Sequence, residues 1–242
     1  MRLDKYLADL QLGTRSRLKT DIRKGRVTVN GVPVTQPDYR LDENMDTVTY
    51  AGTVLTYRKY RYYMLHKPAG VVTATKDNHD KTVLDLFPAA LKTDLFPVGR
   101  LDKDTEGLLL LTNDGELAHC LLAPKKHVQK TYYVECSGTI SQEGIERLSR
   151  GVDIGDDTPT RPATLRLLSQ TQDRYCLEIT ITEGRFHQIK RMIAAVDGTV
   201  TYLKRLSMGS LVLDETLAKG QYRELTAQEE AALFTPLKFS TE

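Results

Sequence analysis

Three acids alternate along Gly99-Arg100-Leu101-Asp102-Lys103-Asp104-Thr105-Glu106-Gly107, and Leu108 to Leu111 follow at once. A charged loop normally borders water, but this one runs straight into an apolar run that wants a core. Its first carboxylate, Asp102, is therefore expected at a rigid, partly buried edge, where an acid can be tuned for chemistry. A calcium loop would place ligands at positions one, three and five with glycine at six, and Asp102, Asp104, Glu106 and Gly107 mimic that opening. The twelfth position, however, is Asn113 rather than glutamate, and positions seven to ten are leucines. A glycosidase pair must reach across a sugar bond, a gap that residues two apart on a loop rarely bridge. Both of those readings are weak, and a purely solvated charge run is the remaining alternative to a working carboxylate.

Three further segments carry side chains suited to a phosphate-rich or aromatic ligand. His66-Lys67-Pro68-Ala69-Gly70 reads as a strand end turned by its proline and glycine, and Lys67 is open there to a structural or a phosphate-facing role. Lys130-Thr131-Tyr132-Tyr133-Val134 reads as a strand whose adjacent tyrosines point to opposite faces, one for the core and one free to present a ring. Glu183-Gly184-Arg185-Phe186-His187-Gln188-Ile189-Lys190-Arg191-Met192 reads as a strand tip turning into a helix. Ile189, Met192 and Ile193 form that helix's apolar face, so the cations Arg185, Lys190 and Arg191 lie elsewhere. Such a cluster is commonly a solvated face, but this one follows a strand tip, where binding loops sit.

The elements that must hold these residues are mostly strands. The pattern predicts strands over 62–65, 71–75, 108–112, 131–136, 163–168 and 176–182, the last with Leu177, Ile179 and Ile181 alternating against Glu178, Thr180 and Thr182. Helices are expected near 116–122, over 141–150 with Ser141 at its start, and over 187–195. Strands and helices mix without strict alternation, which predicts an α+β fold with a mixed, largely antiparallel sheet flanked by helices. The chain beyond Phe234 is expected to be loose.

The first fifty residues form a pattern of their own. Leu3, Leu7 and Leu10 recur at helical spacing, and a second helix is expected from about Ser16 to Lys24, stopped by Gly25. Arg15, Lys19 and Arg23 fall at i, i+4 and i+8, one cationic stripe beside the apolar pair Leu18 and Ile22. Alternating valines around Asn30-Gly31 predict a hairpin. Residues 1–26 hold eight basic residues against three acids, whereas the whole 242-residue chain has a net charge of only +2. A basic element on a nearly neutral chain points to a polyanion partner.

With 40% hydrophobic and 27% charged residues the composition is that of an ordinary soluble globular protein. Cys120, Cys136 and Cys176 are far apart and odd in number, which argues against a disulfide framework or a zinc pair. No apolar run approaches membrane length, and the start lacks a signal-peptide core. A cytoplasmic location is expected.

Taken in order, the 99–107, 183–192, 130–134 and 66–70 segments resemble those of the bacterial ribosomal RNA pseudouridine synthases of the small-subunit type and their large-subunit relatives. The two N-terminal helices and the basic hairpin resemble the RNA-binding domain of the ribosomal-protein S-four type. The 99–107 motif is highly specific, the 183–192 motif moderately so and the Lys67-Pro68 turn weak alone. The resemblance implies a small RNA-binding domain over 1–58, a larger catalytic domain over 59–236 and a loose tail over 237–242.

It also implies the reaction: a uridine is detached from its ribose, rotated and rejoined through C5, with no cofactor and no metal. Asp102 would be the essential carboxylate, acting at C1′ or on a C2′ proton; sequence does not choose between them. Lys190 would keep it ionised and aimed, and Tyr132 would stack on the base. In related enzymes the position of Lys190 is often arginine, so a bidentate pair to a carboxylate is in question. Arg15, Lys19, Arg23, Arg100, Lys67, Arg185 and Arg191 would contact the RNA. Arg100 suits equally a structural salt bridge, a phosphate clamp, or the space left by a flipped base. The implied partner is ribosomal RNA or a ribosome-assembly intermediate, with no membrane, and the protein a monomer. A large-subunit target, a catalytically dead RNA-binding protein and a nucleoside or glycoside hydrolase are the rivals. Loss of Asp102 would mark the second, and release of free uracil or sugar the third.

Overall fold

The computed structural model describes residues 1–10, 12–43 and 45–238. The chain divides into two compact units, Met1–Lys59 and Tyr60–Glu242. In the first, helices α1 (Leu3–Asp9) and α2 (Arg15–Arg23) pack with a four-stranded sheet of order β2-β1-β3-β4, formed by β1 (Val27–Val29), β2 (Val32–Pro33), β3 (Val48–Tyr50) and β4 (Thr53–Leu55). Leu3, Leu7, Leu18, Ile22, Val27 and Val48 share one core. Thr14 caps α2, its side chain accepting from the Arg17 amide. The Asn30-Gly31 hairpin forms as its residue types require, with φ of 52° and 81°. The buried Asp21 carboxylate accepts from Tyr50 of β3 at 2.7 Å and from Arg26 at 2.8 Å, tying the helix to the sheet.

The second unit is built on one nine-stranded sheet. Its path runs β13-β5-β7-β11-β8-β10-β9, from β5 (Tyr62–Lys67), β7 (Glu106–Thr112), β8 (Lys130–Gly138), β9 (Thr164–Gln170), β10 (Arg174–Ile181), β11 (Gly198–Met208) and β13 (Tyr222–Glu224). The short β6 (Phe96–Pro97) pairs with β7, and β12 (Leu211–Val212) with β11. The pairing is antiparallel except where β7 meets β11 in parallel, through Lys204 with Glu106 and Arg205 with Gly107. The architecture is α+β.

Side-chain alternation sorts the sheet onto two cores. On β5 and β7, Tyr63, Leu65, Leu109 and Leu111 enter one, while Tyr62, Met64, Leu108 and Leu110 enter the other. This is why 108–111 reads as an unbroken apolar run: the strand is covered on both faces. Helices α5 (Gln142–Arg150) and α6 (Gln188–Ala194) supply Leu148, Ile189, Met192 and Ile193 to the first core. Helices α4 (Gly115–Leu122) and α7 (Ala227–Lys238) supply Leu117, Leu121 and Leu233 to the second. The single-turn α3 (Ala89–Lys92) lies between β5 and β6 in sequence. Ser141 and Asp114 cap α5 and α4 by accepting from Gly144 and Leu117, each at 3.0 Å.

Three expectations are corrected. Residues 71–75 are not a strand; Val72 makes a lone bridge with Thr82, and the Thr73 hydroxyl bonds instead to the backbone of Leu101. The central strand β11 was not expected, because Lys204 and Arg205 interrupt its apolar pattern, although Arg205 is only 2% exposed. Helix α7 continues past Phe234 to Lys238; 239–242 of the expected loose tail lie outside the described residues.

The parallel join also dictates a glycine. Gly107 has φ +104°, and a Cβ there would lie 2.2 Å from the Arg205 carbonyl oxygen and 2.6 Å from its nitrogen. Gly107→Ala should therefore cost at least about 2–3 kcal/mol in strain and lost pairing. A urea unfolding curve checks this; a midpoint equal to the parent's would mean that the join yields freely.

Candidate active site

The loop between β6 and β7 is held from beneath by one cation. Lys67, fully buried at the end of β5, donates to the carbonyl oxygens of Pro68 (3.1 Å), Asp102 (3.0 Å), Lys103 (3.3 Å) and Thr105 (2.8 Å). The Gly70 amide adds a bond to Lys103 O at 2.8 Å, and Thr105 N closes a turn onto Asp102 O at 3.1 Å. Burial pushes the Lys67 ammonium down to about 8, against the pull of Asp104, Asp102 and Glu106. Lys67 thus takes the structural role. The phosphate-facing role is ruled out by its burial and by the carbonyls that occupy its donors.

With its carbonyls turned inward, the loop presents the Asp102 side chain to a cleft of about 740 Å³. Asp102 keeps 25% of its side chain exposed, and Lys190 of α6 lies 3.2 Å from its Oδ2. His187 Nε2 lies 3.6 Å from Oδ1. Lys190 also pairs with both oxygens of the exposed Asp104, at 2.6 and 2.8 Å. Burial pulls the Lys190 ammonium toward its neutral form, but the bonds from Asp104 and Asp102 outweigh it and hold its pKa above the usual range. Glu106, the third alternating acid, turns away and accepts from Tyr202 at 2.6 Å and Lys219 at 2.7 Å. Among the described residues no group of three or more His, Cys, Asp or Glu side chains could hold a metal ion.

The cleft floor is a face of the sheet. Tyr132 on β8 and Arg205 on β11 are cross-strand partners, so their side chains share that face, and Lys130 shares it two residues before Tyr132. All three line the cleft with Ile181 and Leu203. Tyr133 points the other way, its hydroxyl donating to Glu135 at 3.0 Å. Burial, with Arg205 nearby, pushes the Lys130 ammonium down to about 8. Arg205 donates from Nε to Leu108 O at 2.8 Å, while its buried Nη2 has no partner among the described residues.

The remaining cations divide. Arg100 is exposed on the cleft rim, and no carboxylate pairs with it among the described residues, so its structural salt bridge is absent there. Arg185 and Arg191, expected at the RNA, are instead engaged within the protein. Arg185 donates to Thr158 O at 2.6 Å, Pro159 O at 2.8 Å and Glu183 at 3.1 Å. Arg191 donates to Ile154 O and Phe186 O, each at 3.0 Å, and pairs with Asp156. On α2, Arg15 and Arg23 are exposed and have no carboxylate partner among the described residues, whereas Lys19 lies 3.9 Å from Asp4. Sequence reasoning assigned no role to Asp104, His187, Arg205 or Phe186. The alternation of acids was the one signal for Asp104.

Lys67→Met should leave several buried carbonyls without a donor and release the loop, costing about 1–3 kcal/mol. Turnover should fall with stability, and limited proteolysis should find new cleavage at 100–105. Parent-like protection of that segment would show that Lys67 does not hold the loop.

Residues 61–195 match the family model described as RNA pseudouridylate synthase, and residues 1–47 match the S4 domain. An uncharacterised RNA pseudouridine synthase of Bacillus subtilis (strain 168) is 47% identical over 230 residues, 95% of this chain and 96% of that protein. The ribosomal small subunit pseudouridine synthase A of Escherichia coli (strain K12) is 40% identical over 236 residues, 96% of this chain and 100% of that protein. A crystal structure of a pseudouridylate synthase matches with a TM-score of 0.68 and 37% identity, covering 96% of this chain and 99% of that one. The likeness is full-length in both sequence and fold, and its family model spans the loop, the cleft tyrosine and the helix just described: the chain belongs to the RNA pseudouridylate synthase family and carries an S4 domain at its N-terminal end.

Proposed function

We propose that this pseudouridine synthase isomerises a uridine of small-subunit (16S) ribosomal RNA, with Asp102 as its essential carboxylate. The observation that carries the assignment is the 3.2 Å pair of Asp102 with Lys190 in the cleft floored by Tyr132. The names of the relatives support the small-subunit target. A uridine stacked in folded RNA cannot reach such a cleft, so the base is extruded into it. Its ring lies against Tyr132, and its ribose is brought to Asp102.

The C1′–N1 bond then breaks with its electron pair passing to the base. Asp102 meets the electron deficiency at C1′, either by bonding to that carbon or by taking a proton from C2′. The detached uracil turns and C5 bonds to C1′ as the Asp102–C1′ bond breaks or, on the other route, as the proton returns to C2′; the C5 proton is then lost and N1 gains one. Reactant and product are isomers. Lys190, 3.2 Å from the carboxylate, fixes its direction; Asp104, gripping the same ammonium from the solvent side, holds Lys190 in place. Arg100, free on the rim, is suited to a phosphate.

The N-terminal unit, taken as an RNA-binding domain, holds the substrate by phosphate contacts that position rather than specify. The Arg15, Lys19 and Arg23 stripe supplies them. We place the work on ribosomal RNA or an assembly intermediate in the cytoplasm, by a monomer. No described helix is long and apolar enough to cross a membrane. Mapping pseudouridine across total ribosomal RNA from cells with and without the protein tests the target. One small-subunit site should vanish; loss of a large-subunit site instead would overturn it.

Two variants separate the acids. Asp102→Asn should lower turnover about 10²–10⁴-fold or more with RNA binding retained. Asp104→Asn, which removes an exposed partner, should stay within about fivefold. The reverse ranking would move the chemistry to Asp104.

The cationic stripe has its own signature. Changing Arg15 and Arg23 together to Gln should weaken RNA binding and flatten the plot of log affinity against log salt by roughly one to two units of slope. An unchanged slope would mean that these side chains face only solvent.

A further inference from the structure

Phe186 stands out on the cleft rim. It is 71% exposed, an unusual setting for a phenyl ring, yet the turn that carries it is tightly held. Arg191 donates to its carbonyl oxygen at 3.0 Å. The Arg185 amide donates to Gln188 Oε1 at 2.9 Å, and Gln188 Nε2 donates to Glu183 Oε1 at 2.8 Å. Arg185 fastens the same turn to the carbonyls of Thr158 and Pro159. Two arginines that sequence pattern would send to phosphate are therefore used to brace a hydrophobic residue in water. The ring is also backed. It stacks on His187 with centroids 3.8 Å apart and planes at 19°. His187 takes φ +49°, a left-handed conformation strained for a non-glycine residue, and its Nε2 is 3.6 Å from Asp102. A rigid aromatic pair thus runs from the working carboxylate outward to solvent.

We infer that Phe186 enters the RNA stack where the target uridine has left it, its face against the neighbouring bases. The inference rests on the base-extrusion reading above. Extrusion opens a gap between two bases, and an apolar wedge can fill it while keeping their stacking. A ring suits any base, since every base has a π-face. A rigid wedge is better than a mobile one, because it loses less freedom on binding. Arg100, which lines the same cleft and pairs with no carboxylate among the described residues, favours a polyanion at this edge over a protein's apolar surface. Arg100, a flexible cation, is left to the phosphate.

The test begins with the parent enzyme on unmodified ribosomal RNA, which identifies the uridine. A fragment containing it is then made in two forms, with the uridine paired and with it unpaired. Phe186→Ala, which removes a largely exposed ring together with its stack on His187 and should melt close to the parent, is expected to lower kcat/KM about tenfold or more on the paired form. On the unpaired form, where little extrusion is needed, the loss should be under about threefold. Because the chain has no tryptophan, F186W gives a single-site reporter. It should restore turnover, and its emission should be quenched on saturation with the paired fragment. Parent-like activity of Phe186→Ala on the paired form, equal losses on both forms, or unchanged F186W emission at saturation would each overturn the inference. Failure of the underlying reading shows separately, as a parent that makes no pseudouridine in ribosomal RNA, and the inference would fall with it.

Discussion

The ammonium of Lys67, sealed from water and shared among four carbonyl oxygens, is the contact on which the site depends. A loop bearing three acids has every reason to lie loosely in solvent. Turning its carbonyls inward would ordinarily bury unpaired acceptors, and a single lysine from the neighbouring strand satisfies them together. The side chains then have only outward directions left. Asp102 is sent into the cleft, Asp104 to its edge and Glu106 to Tyr202 and Lys219, so acids that look equivalent in sequence end in three environments.

That loop is joined to the rest of the site through a narrow seam. Strands β7 and β11 share two register pairs, and at one of them the backbones come so close that only glycine fits. Close approach is what places Arg205 and its cross-strand partner Tyr132 beside the loop, and the Arg205 side chain secures the seam by bonding to Leu108 O. On the far side, the long antiparallel pairings of β11, β8 and β10 make the floor stiff. A carboxylate on a loop and an aromatic ring on a sheet are thereby held at fixed spacing, which is what a reaction of a detached and rejoined base needs.

Cations do three different jobs around the cleft. Lys67 and Arg205 organise backbone from inside the fold. Lys190 is divided between two carboxylates, so its charge is felt at Asp102 while Asp104 restrains it. Arg185 and Arg191 brace the turn that carries Phe186 and His187. Arg100 is left on the rim with its charge uncompensated by any carboxylate among the described residues.

Much of this was legible before the fold. Periodicity and capping residues located α2, α4, α5 and α6, the Asn30-Gly31 turn, and the separate pattern of the first unit. The 99–107 motif singled out Asp102 through its resemblance to the pseudouridine synthases, and the apolar run that follows predicted the partly buried edge at which Asp102 lies. The tyrosine pair could be assigned to opposite faces from strand alternation alone. What sequence could not carry was the use of charge. Lys67, Arg185, Arg191 and Arg205 look alike as basic residues, and only the fold decides whether each meets phosphate, a carboxylate or a carbonyl. The same blindness hid β11, whose arginine is buried by neighbours distant in sequence. Local residue types set the elements and the candidate chemistry because those depend on spacing along the chain. The partner of each charge depends on long-range contacts, and those exist only once the sheet has closed.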